Sequence, residues 1–139
     1  MPGTGRAPSS ERRFESGYDR RTSRRVGDPV FVFSDTAMGC YAEYKCMAED
    51  GVVAIKPANL SYEEAAALSF GGTTILDFLR KAKLESGERM LINGASRGVG
   101  TAAVQLAKYF GAEVTAICST SNLELVSTLG ADYLIDYTK

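Results

Sequence analysis

The chain has 139 residues, 45% of them hydrophobic and 24% charged, with a formal net charge of -1, the composition of one soluble globular domain or two small subdomains. It has no histidine, and Cys40, Cys46 and Cys118 show no C-x-x-C pairing. Histidine-based triads and imidazole metal sites are therefore excluded, and neither a four-ligand zinc cage nor a disulfide framework is expected. With free thiols, no apolar run of membrane-span length and no apolar signal core at the N-terminus, the expected compartment is the cytoplasm, away from membranes.

Residues 1–25 carry seven arginines against Glu11, Glu15 and Asp19, a balance of +4, while the rest of the chain carries -5. Few aliphatics and several Gly, Pro and Ser residues leave little apolar surface to offset the entropy of ordering. This predicts a basic, disordered tail or a translation-start artefact. A basic arm can hold nucleic acid, but the acidic remainder and the lack of aromatics interleaved with arginine argue against that partner.

Residues 26–60 alternate β-prone runs with turn residues: Pro29–Phe33, Tyr41–Cys46 and Val52–Ile55 predict a piece of small antiparallel sheet. Residues 61–88 read as linking helices. Ser61-Tyr-Glu-Glu64 is a capping-box signature before Ala65–Leu68, a second helix is expected over Thr73–Ala82, and Glu85–Glu88 is a turn. Residues 89–139 then alternate strand and helix. Strands are expected at Met90–Ile92, Val114–Cys118 and Tyr133–Asp136, with helices at Val99–Phe110, ended by Gly111, and at Leu123–Leu129, capped by Ser121 or Asn122. This βαβαβ order predicts an α/β fold with a parallel sheet, the N-terminal half of a doubly wound Rossmann dinucleotide-binding domain.

The segment Asn93-Gly94-Ala95-Ser96-Arg97-Gly98-Val99-Gly100 leaves a strand and opens a helix, the context a phosphate-binding turn requires. Glycines permit the tight turn and the approach of backbone N–H groups to a pyrophosphate, while the helix N-terminus adds positive potential there. An ordinary βα turn would use the same glycines only for close packing; the strand, helix and second βα unit around the loop favour nucleotide binding. The strict G-x-G-x-x-G spelling is absent, since Ala95 and Arg97 stand at its first two glycines. Gly94, Gly98 and Gly100 also fit the short-chain dehydrogenase spelling. The Tyr-x-x-x-Lys pair of that class occurs here only upstream, as Tyr41 and Lys45, which makes it a decoy.

An NAD-selective site places Asp or Glu about 20 residues beyond the loop, on the ribose hydroxyls. Here Cys118-Ser-Thr-Ser-Asn122 contains no acid, and its hydroxyls and amide can donate to a 2′-phosphate. NADP(H) is therefore expected in preference to NAD(H), with Ser119, Ser121 and Asn122 near the phosphate and Arg97 either its charged partner or a solvated side chain.

Several motifs occur in order over residues 26–139: Val26-Gly-Asp-Pro-Val-Phe31, Tyr41-Ala-Glu-Tyr44, Lys56-Pro-Ala-Asn-Leu60, Glu63-Glu-Ala-Ala-Ala-Leu68, Gly87–Ser96, Gly98-Val-Gly100, Ala103–Ala107, Gly111–Thr115, Leu129–Asp132 and Ile135-Asp-Tyr137. Together they resemble the quinone-oxidoreductase, alcohol dehydrogenase-like branch of the medium-chain dehydrogenase/reductase superfamily. The resemblance implies a GroES-like β substrate domain, of which residues 26–60 would be a remnant, joined to a Rossmann domain. It also implies an NADP(H)-dependent oxidoreductase without catalytic zinc, acting on a small-molecule quinone, enone or carbonyl, with a homodimer as one possible assembly. By family position Thr74 would sit beside the nicotinamide, Ala95, Ser96, Arg97, Gly98 and Val99 would face the pyrophosphate, Ser119–Asn122 the adenosine ribose and Tyr137 the adenine. Where relatives usually have glycine, this chain has Arg97. Relatives are more than twice as long, so the alternative expectation is a truncated, non-catalytic nucleotide-binding remnant or a module needing a partner chain. No catalytic residue is assigned; Tyr41, Tyr44 and Cys46 are titratable but read better as sheet residues.

Overall fold

The computed structural model describes residues 24–34, 38–48 and 50–139. The tail expected over residues 1–25 lies outside them except for Arg24 and Arg25. Val30–Val32 (β1) and Val53–Ile55 (β2) pair antiparallel with Val30 opposite Ile55 and Val32 opposite Val53. The strand expected at Tyr41–Cys46 is not formed. Its β-prone residues find no strand to pair with among the described residues, and strand propensity is realised only through cross-strand packing. Tyr41 and Tyr44 are exposed instead.

The capping box forms as read. Ser61 Oγ accepts from the Glu64 N–H at 3.1 Å, and Glu64 Oε2 accepts from the Ser61 N–H at 2.8 Å. Where two linking helices were expected, a single helix (α1) runs from Tyr62 to Ala82, straight through Gly71 and Gly72. Each glycine costs a helix interior about 1 kcal/mol against alanine. At Gly71 a tertiary contact offsets this: the residue is buried, and a Cβ there would lie 2.7 Å from the Gly98 carbonyl oxygen.

Arg89–Asn93 (β3), Glu113–Cys118 (β4) and Tyr133–Asp136 (β5) form one parallel sheet in that order, with Arg89 opposite Glu113 and Thr115 opposite Tyr133. Gly98–Tyr109 (α2) and Leu123–Thr128 (α3) connect them. This is the βαβαβ half of a Rossmann fold. Ile92, Val104, Ala107, Val114, Ala116 and Val126 are buried between the sheet and its helices, and α1 packs on α2. Leu91 of β3, beside the buried Ile92, stays exposed, and so do Tyr133, Leu134 and Ile135 of β5. Lys108 Nζ lies 2.8 Å from both Asp132 carboxylate oxygens, and Asp132 Oδ2 accepts from the Val114 N–H at 2.6 Å, which fastens the entry of β5 to α2 and β4. The Lys108 ammonium, then the Val114 amide, hold the Asp132 carboxyl below its ordinary range. Among the described residues no helix is long and apolar enough to cross a membrane.

Candidate functional site

Because β3, β4 and β5 are parallel, they end on one edge, at Asn93, Cys118 and Asp136. Open α/β sheets bind ligands beyond this carboxyl edge. The turn after β3 is fastened from within. Gly94 adopts φ +72°, a region that favours glycine. The N–H groups of Gly94 and Ala95 both donate to the Ile117 carbonyl at 3.1 Å, and that of Arg97 donates to the Gly94 carbonyl at 3.0 Å. The N-cap of α2 is Arg97, whose side chain makes no capping bond. The Thr101 N–H closes onto the Arg97 carbonyl at 2.7 Å. The amides of Gly98, Val99 and Gly100 precede that bond, so helix geometry gives them no acceptor, and they form the positive end of α2.

The glycines divide into two roles. A Cβ at Gly100 would collide with the Gly94 carbonyl oxygen and come within 2.8 Å of Ala95 Cα, so this residue sets how closely α2 approaches β3. Gly98 is different: a Cβ there would meet nothing within 4 Å. That open space belongs to a cleft of about 550 Å3, lined by Phe70 and Ile75 of α1, by β3 and by the turn into α2. Arg97 and Asn93 line it with Gly94, Gly98, Val99 and Gly100, and among the described residues Arg97 is the one charged residue of the lining. Phe70 also packs against Phe33 with the rings tilted and their centroids 6.1 Å apart, bringing the residue after β1 to α1 beside the cleft. The volume lies within the range of small-molecule pockets. Unsatisfied amides, a guanidinium and a missing side chain fit the pyrophosphate of a dinucleotide.

The remaining expected residues divide between places. Ala95 is fully buried beneath the turn and its amide is spent on Ile117, so it does not face the cleft. Ser96 is half-buried in the turn. Thr74 is half-buried on α1 beside Ile75 but is not itself part of the cleft lining. Ser119, Ser121 and Asn122 gather after β4, where a 3-10 turn spans Thr120–Asn122. Asn122 Nδ2 donates to Ser119 Oγ at 3.0 Å, and the Ser119 and Ser121 hydroxyls are 3.1 Å apart. Arg97 shares neither a hydrogen bond nor the cleft with these three. Tyr137 is exposed past β5, and its N–H donates to the Cys118 carbonyl at 3.3 Å.

Sequence reasoning gave no role to Phe70, which lines the cleft, to Gly71, which lets α1 approach Gly98, or to Asp136, and it quoted Asn93 only as the start of the glycine segment. The Gly71-Gly72 pair inside a helical pattern was the available signal for a close helix contact, and Asp136 stood in the quoted Ile135-Asp-Tyr137 motif. Tyr41, Tyr44 and Cys46 are exposed, and none lines the cleft. Burial, then the Asp136 charge, push the Cys118 thiol upward. Among the described residues no three Cys, Asp or Glu side chains are grouped to hold a metal ion.

Residues 98–139 match the family described as "Zinc-binding dehydrogenase". Over 103 residues the chain is 50% identical to a "2-methylene-furan-3-one reductase" of Solanum lycopersicum, a match covering 73% of this chain and 26% of that protein. Over 124 residues it is 40% identical to an "NADPH-dependent alkenal/one oxidoreductase, chloroplastic" of Arabidopsis thaliana, covering 83% of this chain and 32% of the relative. The solved quinone oxidoreductase of Coxiella burnetii superposes with a TM-score of 0.77 at 35% identity, covering 84% of this chain and 37% of the other. The chain thus spans between a quarter and two fifths of the length of these relatives.

Proposed function

We propose that this chain, similar over most of its length to quinone and alkenal oxidoreductases, belongs to the quinone-oxidoreductase branch of the medium-chain dehydrogenase/reductase superfamily and carries the cofactor-binding portion of an NADP(H)-dependent reductase of quinones, enones or carbonyls. One observation carries the proposal: the cleft at the turn into α2, where Gly98 leaves open space beside amides that α2 cannot satisfy. In this reading residues 89–139 hold the cofactor and residues 26–60 belong to the substrate side.

The amides of Gly98, Val99 and Gly100 donate to the phosphate oxygens, and the Arg97 guanidinium adds charge at the mouth of the cleft. Gly94 shapes the turn that leads to them. Phe70 and Ile75 form an apolar wall that excludes water, with Thr74 presented on the same helix to the nicotinamide side. The Ser119, Ser121 and Asn122 cluster retains donors for the ribose 2′-phosphate, since Asn122 Nδ2 spends one of its two hydrogens on Ser119 and only one of the two serine hydroxyls donates to the other. Tyr137 lies at the adenine end. When bound, the cofactor supplies a hydride for an electron-poor carbon. Names of relatives support both the acceptor class and NADPH. The zinc-independent route is proposed from the resemblance to the quinone-oxidoreductase branch, and the lack of histidine in the sequence agrees with it. The cytoplasm is proposed from the free thiols, although relatives are named chloroplastic and mitochondrial. No catalytic side chain is assigned.

Thermal unfolding with each nucleotide tests the proposal. A ligand held only by the native state at 100 times its Kd stabilises by about 2.7 kcal/mol. NADPH should raise the unfolding midpoint more than NADH does, and the chain should oxidise NADPH in the presence of an enone such as 3-buten-2-one. A midpoint that neither nucleotide moves counts against the proposal.

A further inference from the structure

We propose that Asp136 is a positioning residue for the ribose end of the cofactor, holding the turn after β4 in the arrangement that distinguishes a 2′-phosphorylated ribose from an unphosphorylated one. This rests on the cofactor reading above. Asp136 ends β5 in register with Cys118, the last residue of β4. Its Oδ2 accepts from Thr120 Oγ1 at 2.5 Å, and its Oδ1 accepts from the Thr138 hydroxyl at 2.6 Å and the Thr138 N–H at 2.9 Å. The two threonine hydroxyls are themselves 2.7 Å apart. One carboxylate therefore ties the turn after β4 to the turn after β5.

The turn has little else to hold it. It is three residues of 3-10 helix with no side-chain cap at Ser119, followed by a six-residue helix with none at Asn122. Helical segments this short do not persist alone. Thr120 is the residue of the turn that the sheet grips through a side chain. Its neighbours are tied to one another: the Asn122 N–H donates to the Ser119 carbonyl at 2.9 Å, and the Ser119, Ser121 and Asn122 polar groups form their own cluster. Thr120 is thus committed to Asp136, and its neighbours remain together as a donor set. The three hydrogen bonds to Asp136, with Thr120 the largest contributor, hold its carboxyl down to about 2. The grip is therefore that of an ionised group throughout the neutral range. A bare negative charge at this edge would repel a 2′-phosphate; a charge saturated by donors does so less.

Calorimetric titration of the chain with 2′,5′-ADP and with ADP, beside thermal unfolding of each variant, tests the assignment. The wild type should favour 2′,5′-ADP. Asp136→Ala and Thr120→Val should each lower that preference about tenfold, the loss for one misplaced hydrogen bond to a charged group. Asp136→Asn keeps an acceptor oxygen and should recover part of the preference. A purely structural role would move the unfolding midpoint and leave the ratio of affinities alone. An unchanged ratio in whichever of the two disrupting variants folds overturns the proposal. So does a ratio that rises, which would mean that the Asp136 charge merely repels the phosphate. A wild type that binds both nucleotides without preference overturns it as well. A wild type that binds neither overturns the cofactor reading together with this one, whereas selectivity kept by the variants overturns this one alone.

Discussion

At Asp136 the acid range gives a direct handle on single side chains. Thr120, then Thr138, donates to the carboxylate and lowers it to about 2, against about 3.9 for an aspartate in an unfolded chain. A folded value below the unfolded one means stability that is fully present above about pH 4 and is lost as pH falls through the folded value. Asp132, lowered by Lys108 and the Val114 amide, acts in the same direction. The urea midpoint should therefore fall as pH drops from about 4 toward 2, and Asp136→Asn should remove part of that fall; an identical acid profile in the variant would contradict the hydrogen-bonded geometry. This role was not legible in the sequence. The acid-free run Cys118–Asn122 was visible, but the acid that holds it comes from a strand sixteen residues from Thr120. Parallel pairing brings the two together. Likewise Gly94, Gly98 and Gly100 were legible as a turn, while only the fold separates Gly100, which permits packing, from Gly98, which leaves space.

Elements with local signals were read well, and elements that depend on distant partners were not. The start of α1 is written in four consecutive residues, Ser61 to Glu64, because a capping box closes within a single turn. Continuation of α1 through Gly71 depends on Gly98, which no local pattern contains. The absence of a strand at Tyr41–Cys46 depends on a pairing partner in the same way. The two adjacent glycines give opposite predictions for one substitution. Gly71→Ala drives a methyl group into the Gly98 backbone, and overpacking of this kind costs about 1–3 kcal/mol. Gly72→Ala meets only Leu68 Cδ2 at 3.9 Å, so it gains the helix propensity of alanine, about 0.5–1 kcal/mol. Urea unfolding of the two variants checks both signs; stabilisation by Gly71→Ala would mean that α1 does not rest on the turn into α2.

For the molecule as a whole, strand and helix alternation from Met90 onward announced a parallel sheet, and β3, β4 and β5 pair in that order. Its carboxyl edge collects the turn into α2, the Ser119–Asn122 cluster and Tyr137 from stretches dispersed along the sequence. Composition alone could not show that Phe70 of α1 shares the cleft with the glycine turn, since that follows from how the helices pack. The central claim is that the first-turn amides of α2 hold the phosphates of a nicotinamide dinucleotide. Titration of the 15N-labelled chain with NADPH, followed amide by amide, tests it most directly. The amide signals of Gly98, Val99 and Gly100 should move in a saturable manner, while the Gly94 and Ala95 amides keep their bonds to Ile117 and stay protected from hydrogen exchange. A folded chain in which saturating NADPH leaves the Gly98–Gly100 signals in place would contradict the account.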